Sequence, residues 1–197
     1  MSLYADLGQF DTRPKLDNTI WCMGCSFTRG EGVTPEQAWP YQLGLLLDQP
    51  TANLGINGTS IGRIWLTYQA LRVKYTPKLV IFSWNGLERD HFITNNQIIN
   101  LGPWSLIPNH PAGSSVRYPA QIQDYKQRLL DGTITAANKQ ICSQARLEPN
   151  SHHFIFMQMF EQGKFLDVGT DLAHPGRLSH KHVAEQLYKQ IDPAVKS

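Results

Sequence analysis

Near the C-terminal end, Asp171-Leu172-Ala173-His174-Pro175 sets a carboxylate three residues before a histidine on a proline-stopped turn. At that spacing the carboxylate can accept a hydrogen bond from one imidazole nitrogen while the other nitrogen faces a nucleophile. Taken alone, such a pair is more often a solvated loop or a helix cap. It gains weight from a second segment far upstream, Ile20-Trp21-Cys22-Met23-Gly24-Cys25-Ser26-Phe27, where an apolar run breaks at glycine and serine follows. Serine, histidine and aspartate so arranged would perform acyl transfer through a covalent intermediate, the chemistry of a serine hydrolase.

The elements that must position these groups alternate between strand and helix. Thr19 to Met23 reads as a first strand, and Phe27 to Thr34, with Gly30 and Gly32, as a loop. Thr34-Pro35-Glu36-Gln37 has the capping threonine, first-position proline and Gln of a helix start. Pro40 moves the regular helix toward Trp39, with Trp39, Leu43, Leu46 and Leu47 on one face. Thr51 to Leu54 is a weak second strand ending in the turn Gly55-Ile56-Asn57-Gly58. Thr59 or Ser60 then caps a helix with the apolar stripe Ile61, Ile64, Trp65, Tyr68, Leu71 and Tyr75.

Leu79 to Phe82 is continuous and apolar, as expected of a central strand buried on both faces, and His153 to Met159 is a similar run. Between them, about 87–119 lacks a period and reads as an irregular insertion. Tyr125 to Leu130, Ile134 to Ala145, and Val183, Ala184, Leu187 and Ile191 have helical spacing. The pattern predicts a single α/β domain over 1–197, with a parallel sheet and helices on both faces. In such sheets, sites gather outside the carboxyl ends of the strands. Ser26, Gly58 and Asn85 each follow a predicted strand, and Asp171 and His174 follow the last run.

Composition narrows the class. A net charge of +2 over 197 residues gives no reason to expect nucleic acid or an acidic membrane surface as partner. No apolar run is long enough to span a bilayer. The segment Met1 to Asn18 is polar with both signs of charge, unlike a secretory signal, which points to a cytoplasmic or virion-associated protein. Three cysteines argue against a disulfide framework. Cys22-Met23-Gly24-Cys25 invites a redox or zinc reading, but Cys22 falls inside the predicted strand and a second ligand pair at zinc-finger spacing is missing. No metal or other cofactor is expected. Cys25 is an alternative nucleophile to Ser26.

The ordered set resembles the SGNH hydrolases, the GDSL-like esterases and lipases. Gly24-Cys25-Ser26 matches their first block, with cysteine where aspartate is common. Asn53-Leu54-Gly55-Ile56-Asn57-Gly58-Thr59-Ser60 matches the second. The third, usually Gly-x-Asn-Asp, reads Ser83-Trp84-Asn85-Gly86 and keeps only the asparagine. Asp171 through His174 matches the fifth, and Pro175 is also common there. The resemblance implies a three-layer α/β/α, flavodoxin-like fold. It assigns Ser26 as nucleophile, His174 as general base and acid, and Asp171 as the group orienting the imidazole. The oxyanion donors would be the backbone N–H groups of Ser26 and Gly58 and the Asn85 amide.

The family includes lipid esterases, thioesterases and carbohydrate O-acetylesterases. The polar insertion without a hydrophobic lid points to short acyl groups, with a carbohydrate O-acetyl ester as first choice. Trp84, Trp104 and Arg117 are candidate substrate contacts, although Trp84, like Trp39 and Trp65, also reads as core. Trp104 would either stack on a sugar or line an acyl pocket, or else pin its loop to the core. Arg89 reads as a loop anchor paired with a carboxylate. His152-His153 reads as a polar strand entrance, and His180 and His182 as surface or cap residues of the last helix. The altered third block also admits a non-catalytic reading, a glycan-binding or virion structural module on the same fold.

Overall fold

The computed structural model describes residues 16–95, 97–107 and 117–191. The reading of the N-terminal segment over residues 1–15, and of the insertion over 108–116, lies outside the described residues. In chain order, β1 (Ile20–Gly24) leads into a single turn, α1 (Ser26–Arg29), then a 3-10 turn at Pro35–Gln37 and α2 (Trp39–Leu47). β2 (Thr51–Gly55), α3 (Ile61–Arg72) and β3 (Leu79–Trp84) follow. Next come β4 (Asp90–Thr94), β5 (Gln97–Leu101), α4 (Pro119–Leu130), α5 (Thr133–Ala145), β6 (Ser151–Ile155) and α6 (Arg177–Gln190).

β2, β1, β3 and β6 form one parallel sheet in that order. Every residue of β1 and β3 is buried, so their side chains feed two cores by simple alternation. Ile20, Cys22, Leu79 and Ile81 pack against Trp39, Leu43 and Leu47 of α2 and Val183, Ala184 and Leu187 of α6. Trp21, Met23, Val80, Phe82 and Trp84 pack on the opposite face against Ile61, Ile64, Tyr68 and Leu71 of α3 and Ala145 of α5. The result is the expected three-layer α/β/α arrangement. The register sets Gly24 opposite Gly55, Met23 opposite Phe82, and Trp84 opposite Ile155. The strands therefore deliver their following turns to one edge of the sheet.

Several local expectations are corrected. Phe27 to Thr34 is not all loop, because its start belongs to α1, which ends at Gly30 with φ 86°. Leu46 is 42% exposed while Trp39, Leu43 and Leu47 are buried, since a nine-residue helix on one sheet face buries a narrower stripe. The last strand stops at Ile155, and Phe156–Met159 winds into a 3-10 turn that sets Phe156 against the core.

Part of the insertion is regular. β4 and β5 form an antiparallel hairpin with Phe92 opposite Ile99, closed by Asn95 at φ 45°. Phe92 packs with Leu101, Ile122, Tyr125 and Ile134, a satellite core that ties the hairpin to α4 and α5. His180 is buried rather than superficial, and its Nδ1 accepts the Trp39 N–H at 3.1 Å.

Candidate active site

Ser26 opens α1 immediately past β1 and is 8% exposed. N–H groups in the first turn of a helix have no partner within it, which leaves the Ser26 amide suited to an anion. The elbow depends on close backbone approach. A Cβ on Gly55 would stand 2.2 Å from the Arg29 nitrogen, and one on Gly24 would stand 2.0 Å from Thr28 Oγ1. Asn53 reinforces the junction, its amide donating to the carbonyl oxygens of Thr28 at 2.9 Å and Arg29 at 3.3 Å.

Asp171 and His174 sit on a short loop whose ends are clamped. Val168 and Pro175 form an antiparallel bridge, and the Gly169 N–H donates to the His174 carbonyl at 2.8 Å. Below it, Asp167 accepts the backbone N–H groups of Leu178 at 2.9 Å and Ser179 at 2.8 Å, fixing the loop to the start of α6. The Thr170 N–H donates to the Gly32 carbonyl at 2.8 Å, which joins this loop to the one leaving α1.

Within the loop, Asp171 Oδ1 accepts the N–H groups of Ala173 and His174, each at 3.0 Å, while Oδ2 lies 2.6 Å from His174 Nδ1. Those backbone donors, with the His174 ring, pull the Asp171 carboxyl down to about 2. Asp171 is therefore a carboxylate, an acceptor only, and Nδ1 carries the shared hydrogen. The His174 ring packs edge-on against Phe27 at 5.8 Å between centroids. Since Phe27 directly follows Ser26, this contact brings the imidazole loop to the turn that carries the serine.

The second turn supplies Gly58, whose φ of 65° favours glycine. The Thr59 carbonyl beside it accepts from Asn85 Nδ2 at 2.5 Å. An amide nitrogen has two hydrogens, so one remains for a ligand. Ser60 caps α3 by accepting the Arg63 N–H at 3.2 Å.

The insertion supports this turn through residues that the sequence alone did not single out. Asn100 Nδ2 donates to the Asn57 carbonyl at 3.0 Å, and Asn100 Oδ1 accepts from Arg63 Nη1 at 3.0 Å. His91 Nδ1 lies 2.9 Å from Ser60 Oγ. The Asn57 amide in turn donates to the Glu31 carboxylate in the loop after α1. Of these, only the asparagine-rich turn around Asn57 carried a signal in the sequence.

The candidate substrate contacts are placed differently from one another. Trp104 is partly buried, with ring atoms 3.8 Å from where a Gly58 Cβ would stand. Its other anchor is Arg89, whose guanidinium lies over the indole at 4.9 Å. Arg89 is thus held by a ring, and no carboxylate pairs with it among the described residues, which corrects its reading as an ion-paired anchor. Trp84 is only 5% exposed and stacks against Phe82 and His153, so it is core first, with one side on a cavity at the end of β3. Arg117 is exposed, with its guanidinium 5.4 Å from the Tyr118 ring and no contact to the Asp171–His174 loop among the described residues.

Burial pushes the Cys22 thiol well up, which opposes thiolate chemistry there. Among the described residues no group of three or more His, Cys, Asp and Glu side chains could hold a metal ion, and no helix is long and apolar enough to cross a membrane.

No protein-family model matches the sequence, and no curated protein matches it. Solved structures do. A lipolytic protein of the G-D-S-L family from Desulfitobacterium hafniense DCB-2 superposes with a TM-score of 0.51 at 14% identity, covering 89% of this chain and 100% of that one. A carbohydrate esterase family 2 enzyme with its carbohydrate-binding domain, from Corynascus thermopiles (Myceliophthora fergusii), superposes at 0.50 and 15% identity, covering 94% of this chain and 69% of that one. The fold is that of the SGNH hydrolases.

Proposed function

We propose that the protein is a serine esterase that hydrolyses short-chain carboxylic esters through an acyl-enzyme, with O-acetyl esters of carbohydrates as the favoured substrates. The observation that carries this reading is the Asp171–His174 pair, 2.6 Å apart and ionised on the aspartate side, packed against Phe27 next to Ser26. Ser26 Oγ attacks the ester carbonyl carbon as His174 Nε2 takes its proton. Asp171 holds Nδ1–H, which fixes the tautomer and stabilises the imidazolium.

The negative charge that develops on the carbonyl oxygen is met by the N–H groups of Ser26 and Gly58 and by the second amide hydrogen of Asn85. The leaving alcohol takes the proton from His174 as the C–O bond breaks. A water molecule, deprotonated by the same imidazole, then releases the acid and restores Ser26. Support for a short acyl group comes from the polar insertion, which shows no hydrophobic lid in the sequence and sets the Trp104 ring beside Gly58. Support for a carbohydrate alcohol comes from the fold shared with a carbohydrate esterase.

The test is hydrolysis of p-nitrophenyl acetate and longer p-nitrophenyl esters by the wild type and by Ser26→Ala. Turnover of the acetate, falling by several orders of magnitude in the variant, is the expected result. An inactive wild type, or equal activity in both, rejects the reading.

A further inference from the structure

A cavity of about 420 Å³ opens at the carboxyl ends of β3 and β6, and Asn85 forms part of its wall. We propose that this cavity is a subsite for a carboxylate-bearing sugar of the substrate, held by Lys139 and Arg146. The inference rests on the esterase reading for its place in catalysis, because Asn85 is the shared wall between the cavity and the reacting carbonyl.

Three observations carry it. The lining includes Ile61, Leu87 and Phe154, an apolar surface suited to the C–H face of a sugar ring. One face of α5, with its C-cap, supplies another wall, where Lys139, Ser143 and the C-cap Arg146 recur at helical spacing. Both cations lack a carboxylate within ion-pair distance among the described residues, whereas Arg72 is paired with Glu148 and Arg128 with Asp90 and Asp124.

The charge of Arg146 also reaches the cavity interior. After burial, it is the next cause holding His153, another lining residue, down to about 4. His153 is therefore neutral near pH 7, which leaves Lys139 and Arg146 as the cations of the lining. Lys139 on α5 and Arg146 at its C-cap stand seven residues apart, about 10 Å along the axis. An extended acidic oligosaccharide can meet both.

Binding tests this apart from turnover. Ser26→Ala protein is titrated by calorimetry with trigalacturonate and with neutral xylotriose, alone and with Lys139→Met and Arg146→Met added. Trigalacturonate is expected to bind about tenfold tighter than xylotriose, and the methionine pair to remove most of that margin. Equal affinity for the two sugars, absence of binding, or a preference unchanged by the methionine pair overturns the proposal. Both side chains are exposed, so an unchanged melting temperature is expected and serves as the folding control. If trigalacturonate binds as stated while the Ser26 protein hydrolyses no p-nitrophenyl ester, the esterase reading fails and the subsite stands.

Discussion

Asp171 serves two purposes with its two oxygens, and its substitutions should separate them. In Asp171→Asn the remaining carbonyl oxygen can still accept the Ala173 and His174 amides. The new NH2 group, however, would donate toward His174 Nδ1 and force the wrong tautomer. The expected result is a drop in kcat of about 10³–10⁴ with little change in melting temperature. Because the carboxyl is held at about 2, it should contribute no titration to the pH–rate profile above about pH 4.

Asn85→Ala is expected to lower kcat on p-nitrophenyl acetate by about 10²–10³ with KM little changed, since its second amide hydrogen is assigned to the oxyanion. An equal rise in KM with unchanged kcat would reassign Asn85 to ground-state binding. The types and order of these residues are legible in the sequence itself. Covalent chemistry needs particular side chains, and the Asp-to-His spacing is local enough to be written in four successive positions.

At the scale of elements, the hairpin β4–β5 props the turn that carries Gly58. Asn100→Ala removes a donor to the Asn57 carbonyl and an acceptor for Arg63. A fall of about tenfold in kcat and a loss of about 1–2 kcal/mol in urea unfolding are expected. Unchanged kinetics would show that the turn holds its shape without the hairpin. Gly55→Ala tests the other side of the site. Its Cβ would meet the Arg29 backbone at 2.2 Å, and backbone cannot step aside, so a loss of about 1–3 kcal/mol or more is expected together with lower activity.

Helix and strand positions were largely legible from period, because α2, α3, α5 and α6 each place an apolar stripe on the sheet. The hairpin was not. Its residues are asparagine-rich and without clear alternation, and its pairing gains support from Ile122, Tyr125 and Ile134 farther along the chain. For the same reason Asn100 and His91 could not be picked out, as neither has a local signature and both act on partners far away in sequence.

For the molecule as a whole, burial of histidine predicts acid sensitivity. His180 is wholly buried, and burial lowers its pKa from 6.5 to about 4. The folded state favours the neutral ring, so the unfolded chain takes up protons first as pH falls. Stability is therefore full above about pH 6.5 and is lost progressively down to about 4, by at most about 3 kcal/mol for this residue. His153 titrates in the same window and in the same direction, from 6.5 to about 4. Urea midpoints measured at pH 7.5 and 4.5 should show the fall. His180→Leu should be less stable at pH 7.5, because the Trp39 N–H loses its acceptor, and should have a shallower pH dependence. A slope equal to wild type would place the sensitivity elsewhere.

The triad proposed here came with the family resemblance; the chain by itself determined the α/β class, the strand-to-turn junctions and the reach of Asp171 to His174. Each of those rests on short-range physics, namely side-chain periodicity, cap and turn preferences, and the reach of one side chain across a turn. Only the tertiary structure decided that His174 meets Phe27, that Asn85 is tied to Thr59, that Trp104 stands beside Gly58, and that His180 is buried under α2. Those contacts join segments far apart along the chain, and the partner is selected by packing of whole elements, which no local pattern records.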